Sequence, residues 1–441
     1  MLYFNSFIKE GVIMSFLKLI LVLILSFYGC TTKPSTKEKK IVIWHWMNDR
    51  EEAFNELANR YREKTGITVV FKLFSPPDIY SQKIIAAARA GNLPDIFGIL
   101  GEKKTFASFI KAGHILSLNN YMYENSNNWF NKFYPQTIKV VMFEKNNIYG
   151  IEEGIYAVPL DTTIMQFIYN KTLFKKAGID LNPPQTFEEF IEVSKNIKEK
   201  LNVAGFASGW AESWLLNCLA TEWAINIMGE EKFLKTIESK IPYTDPDWIK
   251  VFELFEKIRD SGILMPNIIT TINKEAEDIF SKNKAAFSFN GTWAINVYKQ
   301  LSSDLDYDFF SLPKAEPKNP IKIWGGAGTY FMVNAKSENK EEAVKFLKWL
   351  TEEEQQIFLI EKTNNLPAVR GCEDKLPEKM KKLLFNLENL THPNIWKYNE
   401  DSRVIEIINT GLQQIILGIK DAKSLASEIQ KEKERITLKN E

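Results

Sequence analysis

Between Ile41 and Leu100 the chain alternates between two hydrophobic periods, and this alternation restricts the fold more than any other feature. Ile41 to Met47 is a short apolar run rich in β-branched and aromatic residues, as in a buried strand. Asp49 then heads a helix, with Glu52 three residues on and Ala53, Phe54, Leu57, Ala58 and Tyr61 spaced to form one apolar stripe. Gly66 ends it. Ile67 to Phe74 reads as a second strand, Ile79 to Ala90 as a helix and Asp95 to Leu100 as a third strand, an order that predicts a parallel α/β sheet.

The alternation resumes after Gly154. Tyr156 to Pro159 and Ile164 to Asn170 read as extended, with Asn170 capping the helix that follows. Thr186 and Glu189 form a capping box for a helix reaching Leu201, and Ala204 to Ser208 is a strand. Ala285 to Asn290 is a strand that runs into a helix past Gly291, and Glu341 to Lys362 and Arg403 to Glu434 carry helical periods. A single core stops growing at about 250 to 300 residues. The 441 residues therefore predict two α/β lobes with a helical C-terminus.

Composition narrows the partners. Lys+Arg 56 balances Asp+Glu 56, so no global field favours nucleic acid. His45, His114 and His392 are the only histidines and no Cys-x-x-Cys occurs, so neither a metal site nor a cofactor is expected. Val12 to Tyr28 is almost wholly apolar, broken by Lys18, and ends in Gly29-Cys30 before a polar run. Residues 1–29, with a start at Met14 as one option, read as a secretory signal; Cys30 becomes the lipidated first residue and residues 30–40 a tether. A retained membrane anchor is the alternative. Phe27 and Tyr28 are bulkier than such a signal usually carries before Gly-Cys. Cys218 and Cys372 remain, either bridged in an exported compartment or buried as inert thiols.

Several segments keep a specific order: Ala87 to Phe97, Ala112 to Leu118, Tyr156 to Ile179, Pro183 to Phe190, Lys284 to Ala294 (KAAFSFNGTWA), Asn339 to Leu350 and Leu366-Pro367-Ala368. In this order and spacing they resemble the family 1 extracellular solute-binding proteins, the group that contains maltose-, glycerol-phosphate- and oligosaccharide-binding proteins. The resemblance implies a two-lobe, type II periplasmic-binding-protein-like fold, each lobe a mostly parallel sheet flanked by helices. Lobe 1 would comprise residues 41–160 and 331–371 and lobe 2 residues 161–330 and 372–441, with crossings near Asp161, Trp324 and Gly371. It further implies a monomer that binds a carbohydrate between the lobes and passes it to the transmembrane subunits of an ABC permease.

The candidate site residues follow from strand ends and from tryptophan, of which there are 11. Ligands of open α/β sheets sit beyond the carboxyl ends of the strands, which points to His45 or Trp46; Trp44 and Trp46 share one face and His45 takes the other, and a core aromatic pair is the competing reading. In Asn290-Gly291-Thr292-Trp293 a strand turns closely into a helix whose first turn presents an indole, suited to stacking on a sugar's C–H face. The resemblance places the corresponding Trp under the sugar. Trp324-Gly325-Gly326 lacks the Lys of a phosphate loop and is read as site or hinge. Trp210 and Trp214, with Glu212 between them, fall where the family carries variable binding residues, while Trp223 lies inside an apolar helix and is read as core. Asp161 is a hydroxyl ligand or a strand bend, and Asp95 turn chemistry rather than a ligand contact, though kept as a candidate.

Trp outnumbers clustered Lys or Arg in these segments, which favours a neutral sugar. A secreted carbohydrate-active enzyme is the rival from another class, but no carboxylate pair stands out as its acid and base, so no enzyme is expected. A binding-fold adhesin or sensor without a transporter is the other.

Overall fold

The computed structural model describes residues 39–100, 103–124, 129–384 and 387–440. Cys30, the apolar run before it and most of the tether lie outside the described residues. The strands are β1 (Lys40–His45), β2 (Thr68–Leu73), β3 (Ile96–Phe97), β4 (Met142–Phe143), β5 (Gly154–Ile155), β6 (Val158–Pro159) and β7 (Asp161–Asn170), then β8 (Ala204–Ala207), β9 (Ala285–Gly291), β10 (Tyr307–Phe310), β11 (Ile323–Ala327), β12 (Tyr330–Val333), β13 (Leu366–Pro367) and β14 (Leu390–Thr391). One sheet runs β2-β1-β3-β12-β6 and a larger one β14-β11-β7-β9-β8, with β10 and β13 also paired to β7.

Both sheets are mixed. β1 pairs parallel with β3 as the alternation predicts, but β12 enters antiparallel to β3 and β6. In the larger sheet β8 and β9 are parallel, while β7 runs antiparallel to β9, β10 and β11. The reversals come from the segments that cross between sheets, because a strand arriving without a crossover helix need not follow the parallel βαβ direction.

Apolar side chains form two separate cores. Ile41, Phe54, Phe97 and Phe331 belong to the first, and Phe167, Phe206, Trp223 and Phe289 to the second. The change falls inside β7, whose ten residues are all buried: Ile164 packs in the first core and Met165 in the second. Cys372, Leu376, Met380, Leu383 and Leu387, expected with lobe 2, pack into the first core; the chain returns to the second core at the partly buried Trp396 and Tyr398 and is buried in it from Val404. Among the described residues Cys218 and Cys372 are both buried and free, Cys218 in the second core and Cys372 in the first, so no bridge joins them.

Local signals explain most boundaries. Asn170 accepts Leu173 N at 3.0 Å, and Thr186 and Glu189 form the capping box of helix Phe187–Leu201. Asp49 does not cap. It sits in a 3-10 turn, Asn48–Arg50, from which helix Glu51–Thr65 starts without a side-chain cap. The long C-terminal period divides into helices Ser402–Ile416 and Ala422–Asn440, with Gly418 at a φ of 72° between them. Among the described residues no helix is long and apolar enough to cross a membrane.

Candidate functional site

The second lobe builds a polar and aromatic rim where β9 ends. Trp293 precedes helix Ala294–Leu301, and its ring folds back over Gly291: a Cβ at 291 would lie 1.9 Å from Trp293 Cζ3. Only glycine leaves that space. Trp293 Nε1 donates to Glu277 Oε1 at 3.2 Å, and the same oxygen accepts Asn290 Nδ2 at 2.9 Å and Asn273 Nδ2 at 3.0 Å. Glu277 is 5% exposed. Burial pushes its carboxyl up to about 7, against the pull of the Asn290 and Trp293 hydrogen bonds, and the charges of Asp49 and Glu212 add to the rise.

Trp214, at 39% exposure, faces Trp293 with ring centroids 5.9 Å apart and planes at 51°. Its Nε1 donates to Glu212 Oε2 at 3.3 Å, and Glu212 Oε1 accepts the backbone N–H of Asn273 at 2.8 Å. Two partly exposed indoles thus have their polar edges turned to carboxylates, and apolar ring surface remains to meet a ligand.

The first lobe's rim follows β1. The Trp46 ring lies 5.0 Å from Tyr80 and against Gly98, where a Cβ would come within 2.6 Å of it. Tyr80 Oη accepts Gly98 N at 2.9 Å and faces the carbonyls of Trp44 and Gly98. Asp49, three residues past Trp46, accepts Asn296 Nδ2 on its carbonyl at 3.0 Å, so the two rims meet there. Next to it Arg50 donates to Asp161, and Asp161 Oδ1 takes Thr329 N at 2.7 Å. Burial works against the Arg50 charge, but Asp161 and Asp49 outweigh it and hold the guanidinium protonated above its usual range.

These contacts bring Trp293, Asn290 and Trp214 together on one rim and Trp46 on the other. Other candidates are placed elsewhere. Trp210 is fully buried against Phe206 at 5.6 Å, a member of the second core rather than a cleft residue, because the turn after β8 points it inward. His45 is fully buried between Phe54 and Phe71, on the helix-covered face of β1; burial, aided by Arg50, lowers it to about 4. Asp95 accepts Val42 N at 2.8 Å and Ser337 Oγ at 2.5 Å, at the amino end of β3 and so away from the carboxyl ends. Asp161 is occupied by Arg50. Gly325 and Gly326 pair with Ile164 and Thr163 in the crossing strands, and the Trp324 ring lies 4.6 Å from His392 while its backbone N donates to Glu222.

Sequence reasoning missed Glu277 and Asn273. They sit one turn apart on helix Asn273–Ser281, a weak local signal. A separate cavity of about 110 Å³ lies along β7, lined by Met165, Gln166, Glu222, Phe310, Lys379 and Leu383, and touches neither rim's tryptophans. Among the described residues no group of three or more His, Cys, Asp or Glu is placed to hold a metal ion.

Two α/β cores joined by crossing strands, each with an aromatic rim and linked by the Asn296–Asp49 hydrogen bond, suit a two-lobed receptor for a small solute. The chain belongs to the bacterial extracellular solute-binding proteins, whose family pattern matches residues 46–357. It is 25% identical to the multiple sugar-binding protein of Streptococcus mutans over 72% of this chain and 72% of that one. Its fold is similar to that of maltose-bound MalE3 of T. maritima, with a TM-score of 0.75, 20% identity and coverage of 90% and 99% of the two chains. An ABC transporter solute-binding protein of Thermotoga lettingae, bound with alpha-D-tagatose, aligns with a TM-score of 0.74, 19% identity and coverage of 89% and 98%.

Proposed function

We propose that this protein binds a neutral mono- or oligosaccharide between its lobes, closes over it and delivers it to an ABC permease, without chemical change to the sugar. The observation that carries this reading is the pair of rim indoles, Trp214 and Trp293, whose N–H groups are tied to Glu212 and Glu277. Stacking on the rings removes sugar C–H surface from water, and side-chain amides and carboxylates replace the water lost by the hydroxyls. The names of its relatives, a multiple sugar-binding protein, a maltose complex and a tagatose complex, support the same ligand class. A micromolar affinity, roughly −8 kcal/mol, holds the sugar and still allows release at the membrane.

Lobe closure is a population shift, and the long crossing strand β7, with its change of core between Ile164 and Met165, is the natural place for the bend. A hydrolase would need a free acid and base flanking a glycosidic bond. Glu277 Oε1 already accepts three N–H groups and both Glu212 oxygens accept one each, which favours binding over cleavage. Export on a lipidated Cys30, as a monomer, completes the proposal. A thermal-shift screen against a panel of carbohydrates tests it: a rise in melting temperature with a neutral sugar supports the reading. Cleavage of an oligosaccharide by the pure protein contradicts it.

A further inference from the structure

The two rim indoles are not independent of each other. From Trp214 the chain of hydrogen bonds runs through both oxygens of Glu212 to the backbone of Asn273, from the Asn273 amide to Glu277 Oε1, and from there to Trp293. Asn290 closes the network, its Nδ2 on Glu277 and its Oδ1 accepting Gly291 N at 2.9 Å and Asn273 Nδ2 at 3.3 Å. Three stretches of chain, around residues 212–214, 273–277 and 290–293, thus join in one network, and three of its N–H groups converge on one buried carboxylate oxygen.

We infer that Glu277 is the positioning residue of the binding site: it holds Trp293 over Gly291 and, through Asn273 and Glu212, sets the angle between that ring and Trp214. Its functional meaning rests on the carbohydrate-binding reading; the frame itself does not. Packing alone does not define the Trp293 rotamer, because the ring is partly exposed and Gly291 offers it only a flat backbone surface. The Nε1–H bond to Glu277 does, and the Asn273 and Asn290 amides hold the carboxylate that accepts it, since an ionised acceptor makes each such bond roughly twice as strong as a neutral pair.

The titratable groups acting on Glu277 are Asp49 from the first lobe's turn and Glu212 from the segment before helix Trp214–Met228, with the buried Tyr298 of helix Ala294–Leu301 beside it. Burial, with the acidic Asp49 and Glu212 adding to it, places Glu277's proton uptake at about 7. Protonation leaves Oε1 a weaker acceptor and loosens the frame. Affinity for a stacked ligand therefore rises with pH through neutrality.

The test has a sugar-free arm and a sugar arm, both on the whole chain. Near-UV circular dichroism of the free protein, read from pH 5.5 to 8.5, should titrate with a midpoint near 7; Glu277→Gln and Trp293→Phe should each abolish that transition. With the best sugar from the thermal-shift panel, wild type should bind several-fold tighter at pH 8 than at pH 5.5. Glu277→Gln keeps an acceptor at Oε1 and should bind equally at both pH values. Glu277→Leu, which leaves three donors unpaired, should bind about tenfold more weakly or worse. The same pH dependence in Glu277→Gln as in wild type, or wild-type affinity in Glu277→Leu, overturns the inference. If Glu277→Leu does not fold, the Glu277→Gln pH profile decides. If no sugar binds, the carbohydrate reading falls and the dichroism arm still decides the frame.

Discussion

Asp161 and Glu277 are both almost fully buried, at 3% and 5% exposure, yet they are stabilised in opposite ways. Asp161, at the start of β7, faces the guanidinium of Arg50 and the backbone of Thr329, so its charge is matched where the chain passes between the two cores. Glu277 has neutral amide and indole donors for partners and acidic groups for neighbours. The first arrangement pins a crossing. The second leaves a charge whose cost depends on pH and on the groups around it, which is the condition expected of a binding site rather than of a scaffold.

Removing Arg50 breaks this contrast most severely. Arg50→Ala strands a buried carboxylate and should lower stability by about 3 to 5 kcal/mol, read from urea unfolding. A loss below about 1 kcal/mol would mean that the pair is not the pin described here. Next comes Gly291→Ala. The new methyl group occupies the Trp293 ring position, so sugar affinity should fall about tenfold or more, some 1.4 kcal/mol, while the melting temperature changes little because the ring can swing outward.

Glu277→Gln gives the smallest effect and the one most specific to the contrast. A carboxyl raised from 4.5 to about 7 on folding binds more protons in the native state than in the unfolded one across that interval. Wild-type stability from this group is therefore full below pH 4.5, falls as pH rises towards 7 and is level above. Unfolding curves at pH 5 and pH 8 should differ less in Glu277→Gln than in wild type. An undiminished difference would assign the pH dependence to other groups.

Much of the scaffold was legible because its signals are local. The change of period from strand to helix, the Thr186–Glu189 box and the Asn170 cap each need only a few neighbouring residues, and all three are present. The placement of Trp293 was legible for a similar reason, as a Gly turn followed by an indole where a helix starts. Trp210 was not: the residues after a strand do not disclose which way the turn points, and here it points into the core beside Phe206. His45 and Trp46 are adjacent, and only the helix covering one face of β1 decides that His45 is core. Glu277 was the least legible, since its role arises from Glu212, Asn273, Asn290 and Trp293 meeting across about 80 residues of sequence, a long-range convergence with no period of its own. The mixed pairing of β7 has the same origin, because register across a crossing is set by tertiary packing.

The central claim is that a sugar stacks on Trp293 in the cleft between the lobes. Isothermal titration calorimetry of wild type and Trp293→Ala with the sugar that most raises the melting temperature tests it most directly. Saturable binding in the micromolar range by wild type, weakened at least about tenfold in a folded Trp293→Ala protein, is the predicted result. Equal affinity in the two proteins would contradict it.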